Sequence, residues 1–515
     1  MIKILVVTAR IPEKLIREIV SSYTSDKKDL VVDIVSSRKP VAAMMTIRDL
    51  EDVLRDLGEE VKKYDFVITP GLLIGDVSIV CSKYGVRCFK GSRFAGDLPR
   101  VLDYVLKGLE LSTKEPADKI VESFFDPSLH QSIYRDFSRA FRIGDLDIPT
   151  KSPPILLAAE AVLRKDLSRD LREIQRISRY SDIIVLGTEA DSNDPDYVKK
   201  ITREISRELF SRAIAIDSLN IKEIKAAVEE GASLVMNLSK TFDYWVDELR
   251  EYLEEIGFVV VPDYVGEGSA AERAEYSLRE YEYFKSRGVR KIILDPVAPP
   301  PLFGSLEGIY ATTLIKKRAE EIPVILGAAN IYELIDADPM GSIAILTSFA
   351  LETGASIILA TEESWKTRGS VEYFRRSIEM IHRAYTRKSP PIDVGVDLLV
   401  AKSKKKSDYI EISFEKDVVI DEYLPPKRID QETFFVVQVD HENNMIEVYI
   451  FSGSKEKALY RLRGRDPRSL GRKALELSGV SDPEHALYLG VELARAYEAL
   501  RTGRSYVQDL FEEKL

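Results

Sequence analysis

The chain contains few of the side chains from which metal centres and disulfide networks are built. Its 515 residues include two cysteines, Cys81 and Cys88, and four histidines. Two thiols cannot form a four-thiolate metal site or a disulfide framework. We therefore assign no metal ion, and expect carboxylates, amides, lysines and arginines to form any functional site.

The sequence also lacks the features of membrane proteins and of nucleic-acid-binding proteins. No apolar run reaches the roughly 18 residues that span a bilayer, and the N-terminal MIKILVVTAR has no signal-peptide layout. The net charge of −11 disfavours a broad attraction to nucleic acid or to an anionic membrane. We expect a cytoplasmic protein. Five glutamines against 74 basic and 85 acidic side chains are a composition typical of thermophiles.

The length and the hydrophobic pattern divide the chain into three domains and a connector, because 515 residues exceed what one core supports. Apolar runs alternate with amphipathic helical segments over residues 1–110, which predicts a small parallel-sheet α/β domain. Residues 111–152 are rich in proline, show no clear strand and predict a connector. Residues 153–388 predict a barrel, and residues 389–515 predict an α+β domain.

The last domain begins with strand patterns and ends with helical ones. EISFEKDVVIDEY at 411–423 and TFFVVQVDHENNMIEVYIFS at 433–452 predict antiparallel strands, with residues 442–444 as a hairpin loop. Two helices are predicted near 467–478 and 483–502. This domain could bind a partner, complete a site or mediate oligomerisation, and a homodimer is left open.

The central region repeats one strand–helix unit eight times. Its strands are apolar throughout, as buried parallel strands are. Eight such units predict a (β/α)₈ TIM barrel, with a doubly wound sheet as the alternative, and in both folds ligands bind at the carboxyl ends of the strands. The predicted strands are 155–159, 183–187, 213–217, 233–237, 258–262, 291–295, 323–327 and 356–360.

Polar side chains occur at the carboxyl ends of these strands. Asp217 and Asp295 directly continue aliphatic strands, which favours a functional role over helix capping; Asn237 and Asn330 are further candidates. A carboxylate can accept two parallel hydrogen bonds from an amidine-like edge, as it does from arginine. A site of carboxylates and amides therefore suits a neutral heterocycle rich in N–H donors, such as a pterin or a guanine. Other polar residues at strand ends are Glu160, Glu189, Asp191 and Asp263.

The stretches AIDSLN, VMNLS, ILDP and PVILGAAN resemble the pterin-binding barrels of dihydropteroate synthases and of methyltetrahydrofolate–corrinoid methyltransferases. In its layout, and in TEESWKTRGS at 361–370, the chain is most similar to archaeal dihydropteroate synthase-related proteins. The resemblance implies that Asp217, Asn237 and Asp295 hold the polar edge of a reduced pterin, of folate or methanopterin type. It makes this pterin a substrate or ligand of a transferase in folate or methanopterin metabolism.

The chain departs from the synthase pattern after several strands. AAEAVLRKD at 158–166 stands where a synthase has an asparagine-rich loop, and GAANIYEL at 327–334 stands where it has a lysine-bearing run. A departing pyrophosphate needs cations, and only Lys366 and Arg368 are well placed to supply them. The structural alternative for these two residues is an ion pair with Glu362 or Glu363.

The methyltransferase pattern fits the chain better at one point. GAAN places Asn330 where these enzymes have an asparagine close to the pterin N5. No D-x-H-x-x-G motif for binding a corrinoid occurs, so a corrinoid acceptor would come from a partner or from the last domain. The predicted function is a pterin-binding, dihydropteroate synthase-like protein with Asn330, Lys366 and Arg368 as candidate catalytic residues. The alternatives are a pterin-dependent methyltransferase and a non-catalytic pterin-binding protein.

Overall fold

The computed structural model describes residues 2–120, 133–208, 212–263, 268–404, 415–416, 419, 432–453 and 456–509. It confirms the predicted fold class: a four-stranded parallel sheet, an eight-stranded parallel sheet and, near the C-terminus, an antiparallel sheet. The chain forms two compact units. The first contains Met1–Asp336, Met340–Glu362 and Gly369–Leu398; the second contains Ala337–Pro339, Glu363–Arg368 and Leu399–Leu515.

The N-terminal sheet has the strand order β2-β1-β3-β4, all parallel. Alternate residues of β1 enter two hydrophobic clusters, one on each face, so helices cover both sides of the sheet. The elements are β1 Ile2–Thr8, α1 Glu13–Thr24, β2 Leu30–Ser36, α2 Ile47–Leu57, β3 Phe66–Thr69, α3 Ser78–Tyr84, β4 Arg87–Lys90 and α4 Leu98–Leu106.

The two cysteines form one disulfide, which the sequence did not lead us to expect. Cys81 lies on α3 and Cys88 on β4, and both are buried in the same hydrophobic cluster. Their Cα atoms are 6.0 Å apart, because the helix packs against the strand that follows it. The number of cysteines excludes a framework of several bridges but does not exclude a single pair.

The connector contains a β-hairpin, so the prediction of no clear strand there was wrong. Helix α5 is Ala117–Ile120, and the antiparallel strands are β5 Arg139–Ile143 and β6 Leu146–Pro149. Gly144, with φ 51°, lies in the two-residue turn between them. Ile143 and Ile148 are fully buried in a cluster with residues at the start of several barrel strands. The hairpin therefore closes the amino-terminal end of the barrel.

The eight barrel strands pair side by side in chain order, all parallel, and β14 pairs with β7. A parallel bridge between Leu294 and Val324 joins the sixth and seventh strands and completes the circle. The strands are β7 Leu156–Val162, β8 Ile183–Gly187, β9 Ala213–Asp217, β10 Leu234–Leu238, β11 Gly257–Val260, β12 Ile292–Leu294, β13 Ile325–Gly327 and β14 Ile357–Ala360.

Helices follow the strands as predicted, with two local differences. The helical part of the fourth strand–helix unit is one short turn flanked by 3₁₀ turns, and an extra short helix follows β13. None of the helices among the described residues is long and apolar enough to span a bilayer. The helices are α6 Leu167–Ser178, α7 Pro195–Glu208, α8 Ile221–Glu229, α9 Trp245–Glu248, α10 Ala270–Ser286, α11 Ser305–Arg318, α12 Ala329–Tyr332, α13 Pro339–Thr353 and α14 Ser370–Arg387.

The second unit contains an antiparallel sheet covered by two helices. Residues 441–444 connect the first two strands as a hairpin loop, in agreement with the sequence prediction. The predicted strand at 411–423 lies almost entirely outside the described residues. The elements are β15 Thr433–Asp440, β16 Met445–Ser452, β17 Tyr460–Gly464, α15 Pro467–Ser478 and α16 Pro483–Thr502. The predicted boundaries of the domains remain predictions.

Candidate functional site

The barrel strands sort their side chains into an inner and an outer layer. The inner layer is a cluster formed only by barrel strands and the β5–β6 hairpin, and it includes Ala213 and Ala215 of β9 and Ile293 of β12. Their neighbours in sequence pack with the helices in the outer layer. Because side chains on a strand alternate between faces, residues two positions further on also face the barrel axis. These residues are Asp217 and Asp295, and the parallel strands bring both to the carboxyl-end mouth of the barrel.

Asp217 and Asn237 are in direct contact. The Asn237 Nδ2 amide donates a hydrogen bond of 2.7 Å to Asp217 Oδ1. Burial raises the pKa of Asp217, and the hydrogen bond from Asn237 opposes this shift. Among the described residues, neither Asp217 Oδ2 nor the side-chain oxygen of Asn237 has a hydrogen-bond partner. Two acceptor atoms therefore remain for a ligand.

A β-bulge turns Asn237 towards the barrel axis. Met236 belongs to the inner cluster and Leu238 to the outer one, although residues two positions apart on a regular strand face the same side. One extra residue therefore lies between them. Asn237 occupies this extra position with φ 62°, and the register against β11 shifts at the same point. Asparagine tolerates this left-handed conformation better than most residues. Such backbone outliers concentrate at functional sites.

Among the described residues, few groups stabilise the negative charge of Asp295. Its Oδ1 accepts one hydrogen bond of 2.8 Å, from the backbone N–H of Val297, and no lysine or arginine among the described residues pairs with it. Val297 has φ 57°, an unusual conformation for a β-branched residue. Burial raises the pKa of Asp295 to about 6, and the hydrogen bond from Val297 opposes the shift.

Asn330 meets Asp295 across a glycine. A Cβ atom built on Gly327 would lie 3.6 Å from Asp295 Oδ2 and 3.8 Å from Asn330 Nδ2, so the two side chains approach the same point. Asn330 Nδ2 donates one hydrogen bond of 3.2 Å to the carbonyl oxygen of Ala298. An amide nitrogen carries two protons, so the second remains for a ligand that binds beside Asp295.

Glu160 is a third carboxylate that faces the mouth. It lies two residues after Ala158 of the inner cluster, and its Oε1 is 2.3 Å from the position of a Cβ on Gly187. Gly187 thus leaves room for the Glu160 side chain, and it pairs in register with Asp217. The sequence placed Glu160 at a strand end but did not select it. The sequence feature that indicates the direction of the Glu160 side chain is Gly187, at the end of the neighbouring strand.

The structure does not bring Lys366 and Arg368 together with these residues in one unit. Both lie in the second unit, where the Arg368 guanidinium is 5.8 Å from the centre of the Trp365 ring. Glu362, one of the two predicted ion-pair partners, accepts a 2.5 Å hydrogen bond from Arg176 and a 2.9 Å bond from the backbone N–H of Val371; the predicted pairing with Glu363 stays a prediction. No cluster of three or more potential metal-ligating acids, histidines or cysteines occurs among the described residues.

Comparisons with known proteins match different parts of the chain. The family model PterinBD-DUF4346 matches residues 429–509, which lie in the second unit. The uncharacterised protein MJ0107 of Methanocaldococcus jannaschii is 29% identical over 528 residues, covering 98% of each chain. The chain is thus similar to an archaeal protein along almost its entire length.

Solved structures of similar shape correspond to somewhat less than half of the chain. Rv1207 of Mycobacterium tuberculosis is 16% identical with a TM-score of 0.37, and covers 46% of this chain and 95% of its own. The dihydropteroate synthase of Yersinia pestis in complex with a pterine–sulfa conjugate is 13% identical with a TM-score of 0.37, at 48% and 98% coverage. A dihydropteroate synthase from Coxiella burnetii in complex with pteroic acid is 18% identical with a TM-score of 0.36, at 45% and 93% coverage.

Proposed function

We propose that the barrel mouth binds the polar edge of a reduced pterin of folate or methanopterin type, in a dihydropteroate synthase-like transferase. One observation carries the proposal: among the described residues, no cation pairs with Asp217 or Asp295, and Asp217, Asn237 and Asp295 keep unpaired acceptor oxygens at the carboxyl end of one barrel. A pterin offers an exocyclic amine beside a ring N–H, and a carboxylate can accept both hydrogen bonds at once. The family model matched in the second unit, which has pterin binding in its name, supports the same ligand.

Charge complementarity favours this ligand over an anionic one. A phosphate or carboxylate in the mouth would meet Glu160, Asp217 and Asp295, and like charges repel more strongly in a partly buried site than in water. A neutral ring rich in N–H donors would instead donate hydrogen bonds to these buried acceptor oxygens. The ligand would thereby lower the raised pKa values of both aspartates.

The position of Asn330 favours methyl transfer as the second candidate reaction. The amide of Asn330 lies beside Asp295, where it can donate a hydrogen bond to a pterin nitrogen whose charge changes. In such a reaction the N5–methyl bond breaks, N5 keeps the electron pair and takes a proton from solvent, and a nucleophilic acceptor supplied by a partner takes the methyl group. Synthase chemistry needs cations at a leaving pyrophosphate, for which Lys366 and Arg368 are the candidates.

The test is a binding panel followed by product analysis. Pterins, folates and methanopterins are titrated calorimetrically into the protein, and mixtures with hydroxymethyl-pterin diphosphate plus an aminobenzoate-type amine, or with a methylated pterin plus a reduced corrinoid, are analysed by mass spectrometry. We expect at least one reduced pterin to bind and Asp217→Asn to weaken it. Asp263→Asn serves as the control, since this exposed acid at a neighbouring strand end accepts a bond from the backbone of Thr241. Failure of every pterin to bind overturns the proposal.

A further inference from the structure

The segment that follows the last barrel strand belongs to the second compact unit. The chain leaves the first unit after Glu362, contributes Glu363–Arg368 to the second, and returns at Gly369. Within the segment, Trp365–Thr367 form a 3₁₀ turn, and the hydroxyls of Ser364 and Thr367 are 2.9 Å apart. The segment that carries Lys366 and Arg368 is therefore grouped with the C-terminal residues.

Trp365 of this segment contacts the antiparallel hairpin through His441. Its ring centre lies 5.0 Å from that of His441 with an interplanar angle of 73°, an edge-to-face contact of the kind aromatic rings prefer. The guanidinium of Arg368 lies 5.8 Å from the same indole. Trp365 remains 48% exposed, so this ring contact, rather than deep burial, fixes its position.

His441 is itself held from a second direction. Its Nε2 is 3.0 Å from the backbone carbonyl oxygen of Arg504, just beyond α16. A carbonyl only accepts hydrogen bonds, so Nε2 carries the proton in the neutral ring. The imidazole thus connects the turn after β15 with the end of α16 and presents its ring to Trp365.

We infer that His441 is a positioning residue, which holds Trp365 and with it the segment carrying Lys366 and Arg368 in the fold of the second unit. The C-terminal domain thereby sets the conformation of the segment that follows the eighth barrel strand. The catalytic meaning of that segment rests on the proposed function. The contact itself does not, and it can be tested without any ligand.

The contact is expected to weaken in acid. Within the described parts of the chain, the charged and polar groups that face His441 are the Arg368 guanidinium, the Asp440 carboxylate and the Arg504 carbonyl. Burial lowers the pKa of His441 and Arg368 lowers it further, while the other two groups oppose the shift. A histidine with a lowered pKa stabilises the fold above its unfolded value of about 6.5, and this stabilisation is lost as the pH falls through the folded pKa. Protonation then places a second cation beside Arg368.

The two tryptophans of the chain make the contact measurable. Trp245 is fully buried and stacks on Phe242, so Trp245→Phe removes its emission and leaves Trp365 as the only reporter. In this background, acrylamide quenching and the emission of Trp365 are recorded between pH 4.5 and pH 8. We expect a titration below about pH 6.5, since an imidazolium beside an indole quenches its emission.

Two substitutions of His441 separate contact from charge. His441→Ala should raise the acrylamide quenching constant about twofold, because the indole loses its neighbour, and should abolish the titration. His441→Gln keeps a donor for the Arg504 carbonyl but cannot be protonated, so it should keep quenching near the parent value while the titration disappears. His485→Gln, in the same unit, is the control and should retain the titration. Unchanged quenching in His441→Ala, or a titration that persists in His441→Gln, overturns the inference.

The same variants distinguish the inference from the proposed function. If no pterin binds but His441→Ala exposes Trp365, the positioning role stands and the proposed function fails. If a pterin binds and His441→Ala leaves both quenching and the titration unchanged, the positioning role fails and the proposed function stands.

Discussion

Two partly or fully buried aspartates in the first unit have opposite environments. Asp97 is fully buried, and it accepts hydrogen bonds of 2.9 Å and 2.5 Å from Nε and Nη2 of Arg387 and one of 2.6 Å from Ser92. Asp295 accepts a single backbone hydrogen bond and has no cation partner among the described residues. A carboxylate with a complete set of partners stabilises a fold, whereas one left without them is available to a ligand.

The surroundings of Asp97 show how closely its partner is fitted. A Cβ on Gly96 would lie 1.5 Å from the carbonyl oxygen of Arg387, so only glycine allows the chain to approach there. Arg387 also donates a 2.8 Å hydrogen bond to the carbonyl oxygen of Asp393. The guanidinium thus joins the start of α4, the end of α14 and the segment after it.

Removing the cation should have the largest effect on stability. Arg387→Leu leaves Asp97 buried without its charged partner, which typically costs about 3–5 kcal/mol. We expect a clear fall in the midpoint of thermal unfolding of the first unit, followed by circular dichroism. Arg250→Leu is the matched control, since it removes an exposed i,i+3 pair with Asp247 worth less than about 1 kcal/mol. Equal losses in the two variants would contradict the structural role of Arg387.

The next prediction separates the two candidate reactions at the mouth. Asn330→Ala removes one preorganised donor and should slow a methyl transfer by about 10²–10³-fold, while pterin affinity changes much less. The double variant Lys366→Ala with Arg368→Ala should instead abolish a synthase. The rate of product formation, followed by mass spectrometry, decides between them. Pyrophosphate release well above background in the parent protein would favour the synthase.

Replacing Asp295 should stabilise the free protein, whereas replacing Arg387 should destabilise it. Asp295→Asn keeps the acceptor for the Val297 N–H but places a donor where a pterin donates, so binding should weaken by about 2–4 kcal/mol. Because a raised pKa means that the charge opposes folding, the free protein should become more stable at pH 7 by about 1–3 kcal/mol. Calorimetry and thermal melting measure the two effects. Unchanged affinity in a folded variant would reject the assignment of Asp295.

The contrast also explains which features the sequence predicted. Asp217 and Asp295 continue apolar strands, so the period of two and the shared direction of parallel strands are sufficient to place them at one end of the barrel. Asn237 is different, because strict alternation from Val235 turns its side chain towards the helices. Only the bulge, which depends on the left-handed backbone at Asn237 and on the register with β11, turns it inward.

Other features escaped prediction because they depend on contacts distant in sequence. The hairpin at 139–149 consists of two short runs around Gly144–Asp145, and it is stabilised by packing of Ile143 and Ile148 against the barrel strands, which the local sequence of the proline-rich connector does not indicate. Glu160 is directed by the absence of a side chain at Gly187, 27 positions later in the sequence. The contact between Trp365, in the segment after β14, and His441 also joins residues that no local pattern connects.

The smallest expected effect is the pH dependence that Asp295 gives to the stability of the protein and to its pterin affinity. The folded pKa of Asp295 is about 6, above the unfolded value of about 3.9. Between these values the folded state binds more protons than the unfolded state, so the contribution of Asp295 to stability decreases as the pH rises. Ligand N–H groups need the ionised carboxylate, so pterin affinity should move the other way and fall by up to about tenfold per pH unit below pH 6. Calorimetric titrations at pH 5, 6 and 7, with a ligand that does not itself titrate in this range, measure the trend. Asp295→Asn should reduce the slope of both profiles to what Asp217, whose pKa is also raised, contributes, and a parent protein whose affinity is constant from pH 5 to pH 7 would show that Asp295 does not contact the ligand.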